Sequence, residues 1–253
     1  MSHGQGGGGG GADAAPEAAD GAGDAGGGGN GGGTVQFTFG LNPIEVKARK
    51  HALLCAIGFL ILLPLGVLLA RYARTFTRRW FWGHAIIQLL ISGPVIFVGI
   101  ALGHQLSNEL EFNEMHDPHQ NIGIALIALY GTQLLLGIFI HFVKLPGLFR
   151  GHRPPWNYIH VALGLAILAL AAYQVHYGLN TEWPFATGNL HHIPGSAMHA
   201  WLALIIIFWV LYFIGMTLLP RQFKAEAAGR ERARVLAKET GHTHEGDLPA
   251  NAA

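Results

Sequence analysis

Residues 51–72 read HALLCAIGFLILLPLGVLLARY. Between His51 and Arg71 lie nineteen residues, Ala52 to Ala70, with no Asp, Glu, Lys or Arg. A helix rises 1.5 Å per residue, so a run of this length is close to the roughly 20 residues that cross a hydrocarbon core of about 30 Å. Four further uncharged stretches follow, at His84 to His104, Asn121 to Val143, Tyr158 to Tyr177 and Ala197 to Leu219. Lipid offers backbone N–H and C=O groups no partner, which predicts helices throughout, with Pro64 and Pro94 as kinks. The predicted fold is an all-α integral membrane protein with five transmembrane helices. Asn42, Pro43 and Glu45 supply a helix cap, a proline for the first helical position and an acid for the first turn.

Working outward, residues 1–33 contain 16 glycines and four acidic residues but no Lys or Arg. Too little apolar surface is present there to offset the entropy of ordering the chain, so 1–41 is predicted to be a disordered tail or linker. Residues 42–220 form the transmembrane domain and 221–253 a basic C-terminal tail. No charged start followed by an apolar stretch stands at Met1, so the first span is expected to act as its own insertion signal. Of the 16 Lys and Arg, thirteen fall after the first span, after the third or in the C-terminal tail. The positive-inside rule then places the C-terminus in the cytosol and the N-terminus outside or in a lumen.

Sixteen basic against fifteen acidic side chains give a net charge of +1, which excludes the broad basic field of a nucleic-acid binder. A single cysteine, Cys55, excludes an intramolecular disulfide and a metal cluster held by cysteines alone.

With charges absent from the spans, imidazole is the main reactive group at membrane depth, where polar side chains are costly enough to be functional candidates. The histidines sort by side. His51, His104, His119, His176 and His199 lie near the outer edge, and His84, His141, His152 and His160 near the inner one. Facing imidazoles can ligate one haem iron from both sides, an arrangement suited to electron transfer rather than oxygen binding. Spacing alone leaves several pairings open. Four residues after His51, His119 and His160 stand Cys55, Gly123 and Gly164, small side chains expected to let a flat macrocycle approach. Gln88 follows His84 at the same spacing. Within a span the histidines are 20 residues apart (His84, His104), 22 (His119, His141) or 16 (His160, His176), which favours one ligand per helix from four helices.

The layout resembles the cytochrome b561 family, in particular the membrane part of its DOMON-linked members, over about Lys50 to Pro220. The carrying segments are HALLCAIGFLILLPLGVLLARY from His51, WFWGHAIIQ around His84, DPHQNIGIALIALYGTQ around His119 and RPPWNYIHVALG around His160. The resemblance implies a four-helix haem-binding core with two b haems, His51 pairing with His119 on the outer side and His84 with His160 on the cytosolic side. It also makes Arg71 and Arg153 candidates for holding haem propionates or an anionic reductant by charge-assisted bonds. The implied activity is that of a transmembrane oxidoreductase, passing single electrons from a cytosolic donor such as ascorbate to an outer acceptor, a ferric or cupric ion or a redox protein. The Gly-rich stretch is similar to the linker of the DOMON-linked branch, which makes a separate outer DOMON-type domain an expected partner beside membrane lipid. Two other classes remain: a haem-free, His-lined metal transporter, and a membrane anchor for an outer domain.

Overall fold

The computed structural model of the protein describes residues 40–77, 79–110, 117–143 and 154–246, with side chains to 236. Arg153 and most of the predicted N-terminal tail lie outside the described residues. Five helices are long and apolar enough to cross a membrane: α1 (Pro43–Ala73), α2 (Trp80–Glu109), α3 (Pro118–Phe142), α4 (Pro155–Ala186) and α5 (Gly195–Met216). A sixth, α6, runs over Leu219–Gly246. The described residues contain no strand.

The start of α1 follows from its sequence. Asn42 caps it by accepting from the Glu45 backbone N–H at 2.9 Å, and the Glu45 carboxylate accepts from the Asn42 N–H at 2.7 Å, closing a capping box around Pro43. The expected kinks at Pro64 and Pro94 take a definite form, and a third joins them. Wide π-helical turns span Ile57–Leu62, Ile86–Ile91 and Gly178–Glu182, each followed within three residues by a proline, namely Pro64, Pro94 or Pro184. Proline has no N–H and its ring crowds the carbonyl four residues back, and one extra residue in the preceding turn relieves that crowding. In α2 the Ser92 hydroxyl donates to the Ile87 carbonyl at 2.7 Å, which satisfies a group the wide turn loosens.

α1 packs against α2 and α5, and α3 against α4, with α4 also touching α1 and α5. All five spans feed one core: Phe59 and Leu63 of α1, Ile96 of α2, Leu126 and Tyr130 of α3, Ile167, Leu168 and Ala171 of α4, and Phe208 and Tyr212 of α5. The Tyr130 hydroxyl, buried at the centre, donates to the Gln88 carbonyl. The outward surface is apolar too, with Leu90, Leu135 and Phe142 each at least 65% exposed, as lipid-facing side chains are.

Small residues set how closely α1 and α2 approach. A Cβ on Gly58 would stand 2.5 Å from Ile96 Cγ1, and one on Gly99 would stand 2.8 Å from Cys55 Sγ. Gly58→Val should therefore lower the thermal unfolding midpoint in detergent, overpacking of this kind costing about 1–3 kcal/mol. Gly131→Ala, where an added Cβ meets nothing within 4 Å, should leave that midpoint unchanged or raise it.

Candidate functional site

The four histidines singled out by resemblance each stand near the start of a different helix, His51 in α1, His84 in α2, His119 in α3 and His160 in α4. The α1/α2 and α3/α4 pairs are antiparallel, which gathers His51 with His119 and His84 with His160. Ring centroids of the first pair are 6.1 Å apart with planes at 78°, and those of the second 6.4 Å apart at 75°. All four are half-buried.

Hydrogen bonds set the ring tautomers on α1 and α2. His51 Nδ1 lies 2.7 Å from the Gly99 carbonyl, and His84 Nδ1 lies 2.9 Å from the Gly66 carbonyl. A carbonyl only accepts, so Nδ1 carries the proton in each ring and Nε2 keeps the lone pair. The arrangement is reciprocal, each helix lending the other a glycine carbonyl fifteen residues beyond its own histidine. Cys55 and Gln88, one turn after the two histidines, lie over those same glycines, where an added Cβ would meet Cys55 Sγ at 2.8 Å or Gln88 Nε2 at 2.7 Å.

The second helix pair repeats another module. Gln133 Nε2 donates to the His160 carbonyl at 2.7 Å, and Gln174 Nε2 donates to the His119 carbonyl at 2.6 Å. His160 lies against Gly137 and His119 against Gly178, each with Cε1 3.1 Å from where a glycine Cβ would be. α3 and α4 thus both carry H-x3-G-x9-Q-x3-G, from His119 to Gly178's counterpart Gly137 and from His160 to Gly178. The two glutamines escaped the reading of single spans, whereas this internal repeat is a signal that could have found them. The small residues after the histidines also have neighbours within the protein. Gly164 makes room for Gln133 Nε2, Gly123 faces Gln174, and Cys55 packs on Gly99, so these positions seat a neighbouring helix.

Other histidines are engaged elsewhere. His104 is exposed beside Asn108, His176 lies against the Trp201 ring at 4.7 Å, and His141 stacks on Phe81 at 3.4 Å. His199 is exposed. His152 lies outside the described residues.

Beside His84 and His160 is a cavity of about 1280 Å³, lined also by Gln88, Gln133, Arg71 and Arg74. Arg71 reaches it from the end of α1, with Nη2 donating to Gln222 Oε1 and Nη1 3.7 Å from Met216 Sδ. Arg74 pairs with Glu226 of α6 at 3.2 Å and lies 4.9 Å from the Trp80 ring centre. Helix α6 is therefore tied to the basic end of α1 at the margin of this cavity.

The residues present fit the implied haems. Two imidazoles bonded to a shared metal at about 2 Å each have ring centres roughly 6 Å apart, matching both pairs. Proton placement agrees, since His51 and His84 keep Nε2 available for such a bond. Among the described residues, no three His, Cys, Asp or Glu side chains converge as a metal cluster.

A family model described as eukaryotic cytochrome b561 matches residues 50–186. A cytochrome b561 and DOMON domain-containing protein of Arabidopsis thaliana is 32% identical over 136 residues, covering 53% of this chain and 32% of that protein. A second Arabidopsis thaliana protein so described is 25% identical over 149 residues, 56% of this chain and 38% of its own. The lysosomal membrane ascorbate-dependent ferrireductase of Bos taurus is 26% identical over 196 residues, 73% of each chain. The chain spans only 32% to 38% of the length of the two plant relatives. No solved structure matches.

The ties between α1 and α6 yield a test. Replacing Arg71 and Arg74 together by Ala removes the contacts to Gln222 and Glu226, and trypsin should then cut faster at Arg230, Arg232 and Arg234. Digestion time courses of native and doubly substituted protein in detergent measure this, with equal rates indicating that other packing holds α6.

Proposed function

The chain belongs to the eukaryotic cytochrome b561 family, and we propose that it carries single electrons across a membrane through two b haems, one held by His51 and His119 and the other by His84 and His160. The observation that supports this most directly is the pair of facing imidazole sets, 6.1 and 6.4 Å between ring centres, assembled from all four of the helices that resemble the family core. The chemistry haem would supply at each site is one-electron acceptance and release.

The chain's own residues do the rest. The Gly99 and Gly66 carbonyls hold the His51 and His84 rings in one tautomer, so that neither ring loses its lone pair to a proton shift. Each pair of histidines would hold its haem from both sides, and a haem so held would supply electron transfer rather than oxygen binding. The uncharged stretches inside the spans would keep the sites in low-dielectric surroundings, where a fixed ligand set needs little rearrangement on a change of charge. Arg71, at the cavity beside His84 and His160, and Arg153 in the matching segment RPPWNYIHVALG would serve the inner haem's propionates or an anionic donor.

The excess of basic residues on the side of Arg71 supports a cytosolic placement of that side. Electrons then run from a cytosolic reductant, for which ascorbate is the first candidate, to an outer or lumenal ferric or cupric ion or redox protein. The ascorbate-dependent ferrireductase of Bos taurus, similar over 73% of its length, favours this choice. Likeness to DOMON-containing plant proteins supports a DOMON-type domain as the outer partner.

Purified full-length protein should contain two haems b per chain, counted as the pyridine haemochrome. His51→Ala, His84→Ala, His119→Ala and His160→Ala should each reduce that count to about one, while His104→Ala and His199→Ala keep two. Colourless protein that moves zinc or copper across liposomes would favour the transporter class instead.

A further inference from the structure

The two imidazoles of each facing pair are held by different means. His51 and His84 are fixed through the ring, by Nδ1–H bonds to the Gly99 and Gly66 carbonyls. The His119 and His160 Nδ1 atoms are buried without a hydrogen-bond partner. Glutamine Nε2 contacts instead reach their backbone carbonyls, Gln174 at His119 and Gln133 at His160. Of a glutamine's two amide heteroatoms only the nitrogen can donate to a carbonyl, which fixes each side chain's orientation, and both Oε1 atoms are buried and unpartnered. A long polar side chain kept at membrane depth with half its hydrogen-bonding capacity unused is costly unless its other half does something specific.

We infer that Gln133 and Gln174 are positioning residues, one for each haem, that seat His160 and His119 against their partner rings by clasping the histidine's own carbonyl. This rests on the haem reading above. Each clasp locks the first turns of one helix to its neighbour. Gly137 and Gly178, four residues beyond the glutamines, then provide the flat surface on which each ring rests. Because the module occurs once per site, each glutamine should act on one haem only. The two modules also differ in tightness. An added Cβ on Gly164 would stand 2.8 Å from Gln133 Nε2, whereas one on Gly123 would stand 3.7 Å from Gln174 Nε2, an ordinary contact.

The test uses haem-loaded full-length protein, with a redox titration resolving both centres and the low-spin ferric EPR signal, which responds to axial ring orientation. The His51→Ala and His84→Ala proteins assign each signal to its site. Gln133→Met keeps side-chain length but removes the donor, and should shift the midpoint and EPR signal of the His84/His160 centre alone. Gln174→Met should shift those of the His51/His119 centre alone. Gly164→Ala, which pushes Gln133 off its carbonyl without touching the glutamine itself, should move the same centre as Gln133→Met, and Gly123→Ala should move neither. Native-like signals in both Met variants, or shifts of both centres together in either, overturn the inference; if the Met variants do not accumulate, an unmoved His84/His160 centre in Gly164→Ala does so. Native protein lacking two haems overturns the haem reading with it, whereas two haems with unresponsive variants defeat the glutamine role alone.

Discussion

Where α1 and α2 cross, each helix gives the other a backbone carbonyl that is already part of its own hydrogen-bond ladder, and each receives an imidazole N–H on it. The close approach depends on glycine. A Cβ on Gly66 would meet Gln88 and one on Gly99 would meet Cys55, while one on Gly103 would stand 2.6 Å from His51 Cε1. The same two contacts bring the helices together, choose the tautomer of two rings and leave one nitrogen of each ring for a ligand. Lipid makes this exchange unusually consequential, because neither the N–H nor the carbonyl has water as an alternative partner.

α3 and α4 answer the same problem with different chemistry. Their glutamines do at the backbone what the glycine carbonyls do at the ring, and the Gly residues four positions on, Gly137 and Gly178, seat the rings themselves. The result is an internal two-fold likeness within each helix pair, in which the histidine near one end of the bundle corresponds to the histidine near the other end in the next helix. Such a likeness explains how one chain presents nearly equal ring geometries, 6.1 Å at 78° and 6.4 Å at 75°, at two sites built from different residues.

The basic end of α1 has a second neighbour. Arg71 and Arg74, which topology alone would account for, are held by Gln222 and Glu226 of α6 beside the cavity that contains His84 and His160. The segment predicted as a basic tail is helical as far as Gly246, with good helix formers such as Ala225, Glu226, Ala227 and Ala228 in its first half. Both of these cations at the margin of the His84/His160 cavity are thus partnered from α6.

The five spans were legible from sequence because the requirement behind them is local: a run without charge, long enough to cross, whose backbone must bond to itself. Helix ends were legible where a cap announces them, as at Asn42 and Glu45, and less so in α4, whose wide turn over Gly178–Glu182 carries the helix past Tyr177. The candidate histidines were visible for the same reason, as polar side chains in apolar runs. Which carbonyl each ring leans on was a different matter, since the one-residue turn insertions before Pro64 and Pro94 fall between His51 and Gly66 and between His84 and Gly99 and rotate everything beyond them by about 100°. Sequence by itself therefore determined that this chain crosses a membrane five times with imidazoles near both ends of an uncharged bundle. Their pairing was implied by the family resemblance, and tertiary structure alone decided the tautomers and the glutamine clasps, because those depend on distances between helices that no periodicity along one helix encodes.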